Sequence, residues 1–174
     1  MSLLKRLFGQ SGPDPKHRLL PLYRQIVAKA RQPHWYEEGQ VPDTLDGRFD
    51  MVSAVLTLVL LRLEGAPAHS HDIVLLTEVF VDDMDGQLRE AGVGDVVVGK
   101  NMGKMMSALG GRLGAFRGAL ADAGQLDQAI MRNIHRDDQV DPAALAYVRQ
   151  TLLELNASLS AQSSEQIAEG SATW

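Results

Sequence analysis

At 174 residues, 45% of them apolar, the chain is long enough to build one domain around a full hydrophobic core. A net charge of −5 removes any general case for DNA or other nucleic-acid binding, and the absence of cysteine removes disulfides, thiolate catalysis and thiolate metal sites. No apolar run reaches the roughly 20 residues that span a membrane, and no secretory signal follows the N-terminal charges.

Residues 2–8 form a short amphipathic piece, with Leu3, Leu4, Leu7 and Phe8 on one side and Lys5 and Arg6 on the other. At about two turns it is expected to fray or dock, the alternative being contact with an anionic membrane surface. Two glycines and two prolines between Gly9 and Pro15 mark a linker, so residues 1–15 are assigned to a flexible N-terminus. A helical domain is expected over 16–159. Its first helix is predicted over 16–31, where Leu19, Leu22, Tyr23, Ile26, Val27 and Ala30 recur at helical spacing.

A loop over 32–47 carries Trp35 and Tyr36, two of the few aromatics in the chain. They either plug the end of a helical bundle or stand exposed as an anchor for a partner. Residues 46–64 are apolar almost all round, which predicts a helix surrounded by others. Ser70 is placed to cap a third helix over 70–91. On it Glu78, Asp82, Asp85 and Arg89 share one face, with Asp83 beside them. This reads as an exposed acidic face with an Asp85–Arg89 pair; the alternative is a divalent-ion site or an acid/base pair on Glu78, Asp82 and Asp85. His69 and His71 fall in the loop and cap region before it, a poorer metal candidate.

Gly92-Val-Gly-Asp95 reads as a corner, with a glycine in the left-handed conformation and Asp95 as the next N-cap. Residues 94–101, Gly-Asp-Val-Val-Val-Gly-Lys-Asn, come close to a phosphate-binding loop but fail it. Asn101 offers no hydroxyl to a magnesium ion, Asp95 would repel phosphate, and a helix precedes the segment where the motif needs a strand. The fourth helix is predicted over 95–120, with Val98, Met102, Met105 or Met106, Leu109, Leu113, Phe116 and Leu120 as its apolar stripe. Lys100, Lys104 and Arg112 form a basic line. Gly99, Gly103, Ser107, Gly111 and Gly114 trace a small-residue edge, expected to pack closely inside the bundle. Met102, Met105 and Met106 either fill the core or supply an adaptable apolar surface. A short helix over 122–135 follows, and Asp141-Pro142 signals the start of another, with Leu145, Val148, Leu152, Leu155 and Leu159 as its stripe. Residues 160–174, poor in apolar residues, are assigned to a disordered tail. The fold class is therefore all-α: a single bundle-like domain of about six helices.

Val41-Pro-Asp-Thr-Leu-Asp-Gly-Arg-Phe-Asp50, followed by Phe80-Val-Asp-Asp-Met-Asp85, Leu88-Arg-Glu90 and Gly92-Val-Gly-Asp95 with Val98-Gly-Lys100, resembles the ubiquinol–cytochrome c chaperone family over residues 18–120. The chain is similar to the bacterial branch, since it shows no transit peptide. It departs at Leu109-Gly-Gly-Arg112, where family members tend to carry an aromatic residue just before the Gly-Arg. The resemblance implies an all-helical, non-enzymatic assembly factor for the respiratory cytochrome bc complex. It would bind newly made cytochrome b, work near the ribosome, and sit in the cytoplasm or peripherally at the inner face of the membrane, with no cofactor. Its partner contacts would then come from Asp82, Asp83, Asp85 and Arg89, from Lys100, Lys104 and Arg112, and from Trp35, Tyr36, Met105 and Met106. Two other readings remain: a small metal-dependent enzyme using Glu78, Asp82 and Asp85, and a module binding lipid or an apolar ligand beneath Met102, Met105 and Phe116.

Overall fold

The computed structural model describes residues 14–90, 92, 95–136 and 139–174; the amphipathic piece at 2–8 and the side chain of Asp95 lie outside them. Among the described residues eight α-helices are joined by short turns, and no strand occurs. A 3₁₀ turn, Pro15–Leu19, leads into α1 (Leu20–Ala30). Then come α2 (His34–Glu37), α3 (Leu45–Glu64), α4 (Ser70–Glu90), α5 (Asp95–Ala119), α6 (Ala123–Ile130), α7 (Pro142–Ser160) and α8 (Ser164–Ala168). The all-α bundle expected from the periodicity is what forms; the two further helices, α2 and α8, are single short turns.

α3 is the axis. Every residue from Met51 to Leu60 is buried, because α1, α5 and α7 all pack on it. Its two polar interior residues are satisfied locally: Ser53 donates to the Phe49 carbonyl at 2.8 Å and Thr57 to the Ser53 carbonyl at 2.7 Å. The helix begins at Leu45 because Thr44 is its cap, its hydroxyl accepting from the Gly47 N–H at 3.1 Å. A Cβ at Gly47 would stand 1.9 Å from the Pro42 carbonyl oxygen. The Pro-Asp-Thr-Leu-Asp-Gly run is therefore a tight helix entry that only glycine allows.

Trp35 is fully buried, and its indole donates to the Lys29 carbonyl at 2.9 Å. Tyr36 is half-buried and its hydroxyl donates to the Ala30 carbonyl at 3.0 Å. The pair plugs the bundle end by closing the C-terminus of α1; Trp35 is no exposed anchor. Gly92 takes φ of 79°, the left-handed corner expected between α4 and α5. Asp122 caps α6 and Asp141 caps α7, with Pro142 in its first turn.

The C-terminal segment corrects the expectation of a disordered tail. Ser163 and Gln166 form a reciprocal capping box that starts α8. Ile167, Ala168 and Ala172 are buried in the core, and Trp174 packs against it. Gly170, at φ 73°, lets its backbone reach α1: the Gln25 side chain donates to the Gly170 carbonyl at 2.8 Å and accepts from the Trp174 indole at 3.4 Å. Few apolar residues suffice here because the tail lies in a seam between α1 and α3 that is already apolar. Arg62 holds it from the other side, donating to the Leu159 and Gln162 carbonyls.

The small-residue edge of α5 also differs from expectation. Gly99, Gly103, Ser107, Gly111 and Gly114 are exposed, and a Cβ at any of these glycines would meet nothing within 4 Å. α5 turns its Leu109 and Phe116 side to the core, so the opposite edge faces outward instead of packing inside the bundle.

Candidate functional site

The start of α3, the C-terminal half of α4 and the middle of α5 enclose an open groove of about 410 Å³. Its walls are Leu45, Phe49, Met84, Leu88, Met105 and Ala108, and its rim carries Asp46, Lys104 and Arg136. Leu45 is 55% exposed, one of two large apolar residues this open among the described residues. The helix entry explains it: the turn fixed by Pro42, Thr44 and Gly47 leaves the first residue of α3 outside its buried stripe.

Beneath this groove lies a buried charge cluster. Asp50 is fully buried on α3 and accepts from Arg112 of α5 at 2.8 Å and from Arg136 at 2.9 Å, through the same carboxylate oxygen. Arg136 approaches the other oxygen through Nε at 2.6 Å. Arg112 also donates to the Asn133 carbonyl at 2.5 Å. It is only 2% exposed, so it leaves the basic line expected of it and becomes a core residue. Burial pushes the Asp50 carboxyl up and the Arg112 guanidinium down, against the attraction between them. Arg136, half exposed and at φ 55°, is held above its ordinary value chiefly by its bond to Asp50. It ends the π turn Met131–His135 after α6 and joins the buried cluster to the groove rim. Sequence reasoning missed Asp50 and Arg136. The signal for Asp50 was an acidic residue on an otherwise apolar helix; nothing in the pattern marked Arg136.

The acidic face of α4 is largely occupied by the chain itself. Lys16 donates to Asp82 at 2.7 Å and stands 3.8 Å from Glu78. Asp83 accepts from the Tyr23 hydroxyl at 2.7 Å and from Gln87 at 2.9 Å. Burial pushes the Tyr23 phenol far up, and the hydrogen bond to Asp83 adds to it. Asp85 and Arg89 form the expected pair at 2.7 Å. Among the described residues no group of three or more histidine or carboxylate side chains converges as a metal site. The cavity sought beneath Met102, Met105 and Phe116 is instead the open groove, which Met105 lines and the other two do not. Met106, like Met102, is partly buried against the core. Lys100 and Lys104 are exposed and form no ion pair with the acidic face of α4. No helix among the described residues is long and apolar enough to cross a membrane.

An all-α domain with an apolar, charge-rimmed groove has the make-up of a protein-contact surface. The chain belongs to the ubiquinol–cytochrome c chaperone family, whose family model matches residues 37–174. It is also similar to a solved crystal structure, that of the Cbp3 homolog from Brucella abortus. The TM-score is 0.81 at 35% identity, over 99% of this chain and 96% of that one. No curated protein sequence matches significantly. The matched region includes α8 and the C-terminal seam, and a chaperone role follows from the family.

Proposed function

We propose that this protein is a non-enzymatic assembly chaperone for cytochrome b of the respiratory cytochrome bc complex, and that it receives a client segment in the groove between α3, α4 and α5. Family membership supports the chaperone role and the kind of client. The observation that carries the site is the combination of exposed Leu45 and half-buried Met105 over a floor of buried Met84 and Leu88, with Lys104 and Arg136 on the rim. Apolar contact supplies affinity for a hydrophobic segment, and the rim charges set its orientation. The protein acts at the cytoplasmic face of the membrane, on a client newly made by the ribosome. Asp82, Asp83, Asp85 and Arg89 are absent from the lining of this groove and are the weaker contact candidates, since all four hold partners that tie α4 to itself or to Lys16 and Tyr23.

The test is crosslinked capture of the tagged full-length protein from its host's membranes, reading haem absorbance and protein identity in the eluate. Enrichment of cytochrome b, reduced at least several-fold by M105E, is the expected result. A deletion strain that assembles normal amounts of the complex overturns the reading.

A further inference from the structure

From Val96 to Ala119, α5 carries four cations and no carboxylate, in a chain whose net charge is −5. Two of the four are consumed internally: Arg112 by Asp50 and Arg117 by Glu64 at 2.9 Å. The other two, Lys100 and Lys104, are exposed and have no ion-pair partner among the described residues, and neither has Arg132 on the π turn beside them. The three line a shallow depression of about 730 Å³ with Gly103, Ser107, Gly111 and Asn133 and no carboxylate. The glycines matter because they keep the ridge between the cations low: a Cβ at Gly103 or Gly111 would stand in open space. Three like charges gathered without a counter-charge among the described residues repel one another, and an anionic surface relieves that repulsion.

We propose that this strip of Lys100, Lys104 and Arg132 seats on the anionic headgroups of a membrane surface and so presents the neighbouring groove to a client at that surface. The two surfaces are continuous, because Lys104 lines both. A bilayer offers a planar phosphate layer, which fits a low, open, cationic face. RNA fits less well, since no aromatic ring lines the depression to stack a base. The preference for lipid rests on the reading of the client as a membrane protein; the unpaired cationic strip does not.

The experiment is flotation of the full-length protein with vesicles of phosphatidylcholine alone or mixed equally with phosphatidylglycerol, at low and high salt. Wild type is expected on the mixed vesicles only, and less at high salt. Each cation near an anionic surface is worth about a five-fold factor in partitioning, so K100Q/K104Q/R132Q loses roughly 100-fold. K100R/K104R keeps wild-type binding. All three positions are exposed, so the far-ultraviolet circular dichroism of the triple variant stays that of wild type. Equal binding by wild type and the triple variant overturns the proposal, as does absence of wild-type binding. Loss of binding in K5Q/R6Q with retention in the triple variant overturns it too, by assigning the contact to the N-terminus. Tighter, strip-dependent binding to a short single-stranded RNA replaces the lipid with a nucleic-acid partner. In detergent, K100Q/R132Q, which leaves the rim's Lys104 in place, still captures cytochrome b if the groove reading holds, so the two proposals fail separately.

Discussion

Replacing Asp50 with alanine strands two guanidinium groups of very different exposure. Arg136 is half exposed and can turn to water or to Asp46, 3.7 Å away. Arg112 is 2% exposed and cannot. Its Nε and Nη1 already lack hydrogen-bond partners, so loss of Asp50 leaves it only the Asn133 carbonyl. An uncompensated buried charge of this kind costs about 3–5 kcal/mol. Arg112→Met is the informative counterpart. It keeps most of the volume, removes the buried cation, and leaves Asp50 paired with Arg136, so the cost falls to about 1–3 kcal/mol. For a chain of this size each kcal/mol shifts Tm by about 2–4 °C. D50A should therefore melt about 6–20 °C below wild type, and R112M well above D50A. The double variant D50A/R112M removes both buried charges and should be more stable than D50A alone, a non-additivity that urea denaturation measures directly. If R112M proves as damaging as D50A, or if the double variant equals the sum of the singles, the idea of a buried charge held mainly by Asp50 is wrong.

Glycine supplies a second contrast. G103A places a methyl in open space on a helix and should stabilise by up to about 1 kcal/mol. G170A, at φ 73° with its Cβ 2.8 Å from Pro21, should destabilise by about 1–3 kcal/mol, and both are read by urea midpoints. Truncation after Ser160 uncovers the apolar seam that Ile167 and Ala172 fill; a loss of several kcal/mol is expected at about 2 kcal/mol per large buried side chain, and unchanged stability refutes the packed tail. Asp72 gives a pH signature. Burial raises its carboxyl, but bonds from Arg18 and His69 outweigh it and hold the group below its ordinary 3.8. A carboxyl depressed in the folded state adds stability above the unfolded value that disappears as pH falls through the folded one. The stability gap between wild type and D72N should be full at neutral pH and close in acid below about 4; a pH-independent gap contradicts the assignment. Finally, L45D alters a 55% exposed side chain, so it should weaken client capture while leaving Tm within about 2 °C of wild type.

Periodicity and capping chemistry determined the helices, because both are local. Leu19 to Ala30, the greasy run from Met51 to Leu60, the Asp122 and Asp141 caps and the left-handed Gly92 all sit where spacing and residue type place them. Even α8 was legible, in the Ser163-x-x-Gln166 capping box, but low apolar content weighed more heavily than that signal. What spacing does not carry is which side of a helix meets which neighbour. Arg112 shares a four-residue line with Lys100 and Lys104, yet α5 is long enough that its packing differs along its length. Lys100 and Lys104 stay in solvent while Arg112 meets Asp50, 62 residues earlier in the chain. The same cause turns the glycine edge outward, buries Trp35 and sets Leu45 at a groove mouth. Local sequence decided the elements and the helix entry at Gly47; only the tertiary arrangement decided which charges are cancelled within the chain and which stay in solvent, because that depends on contacts between residues far apart in sequence.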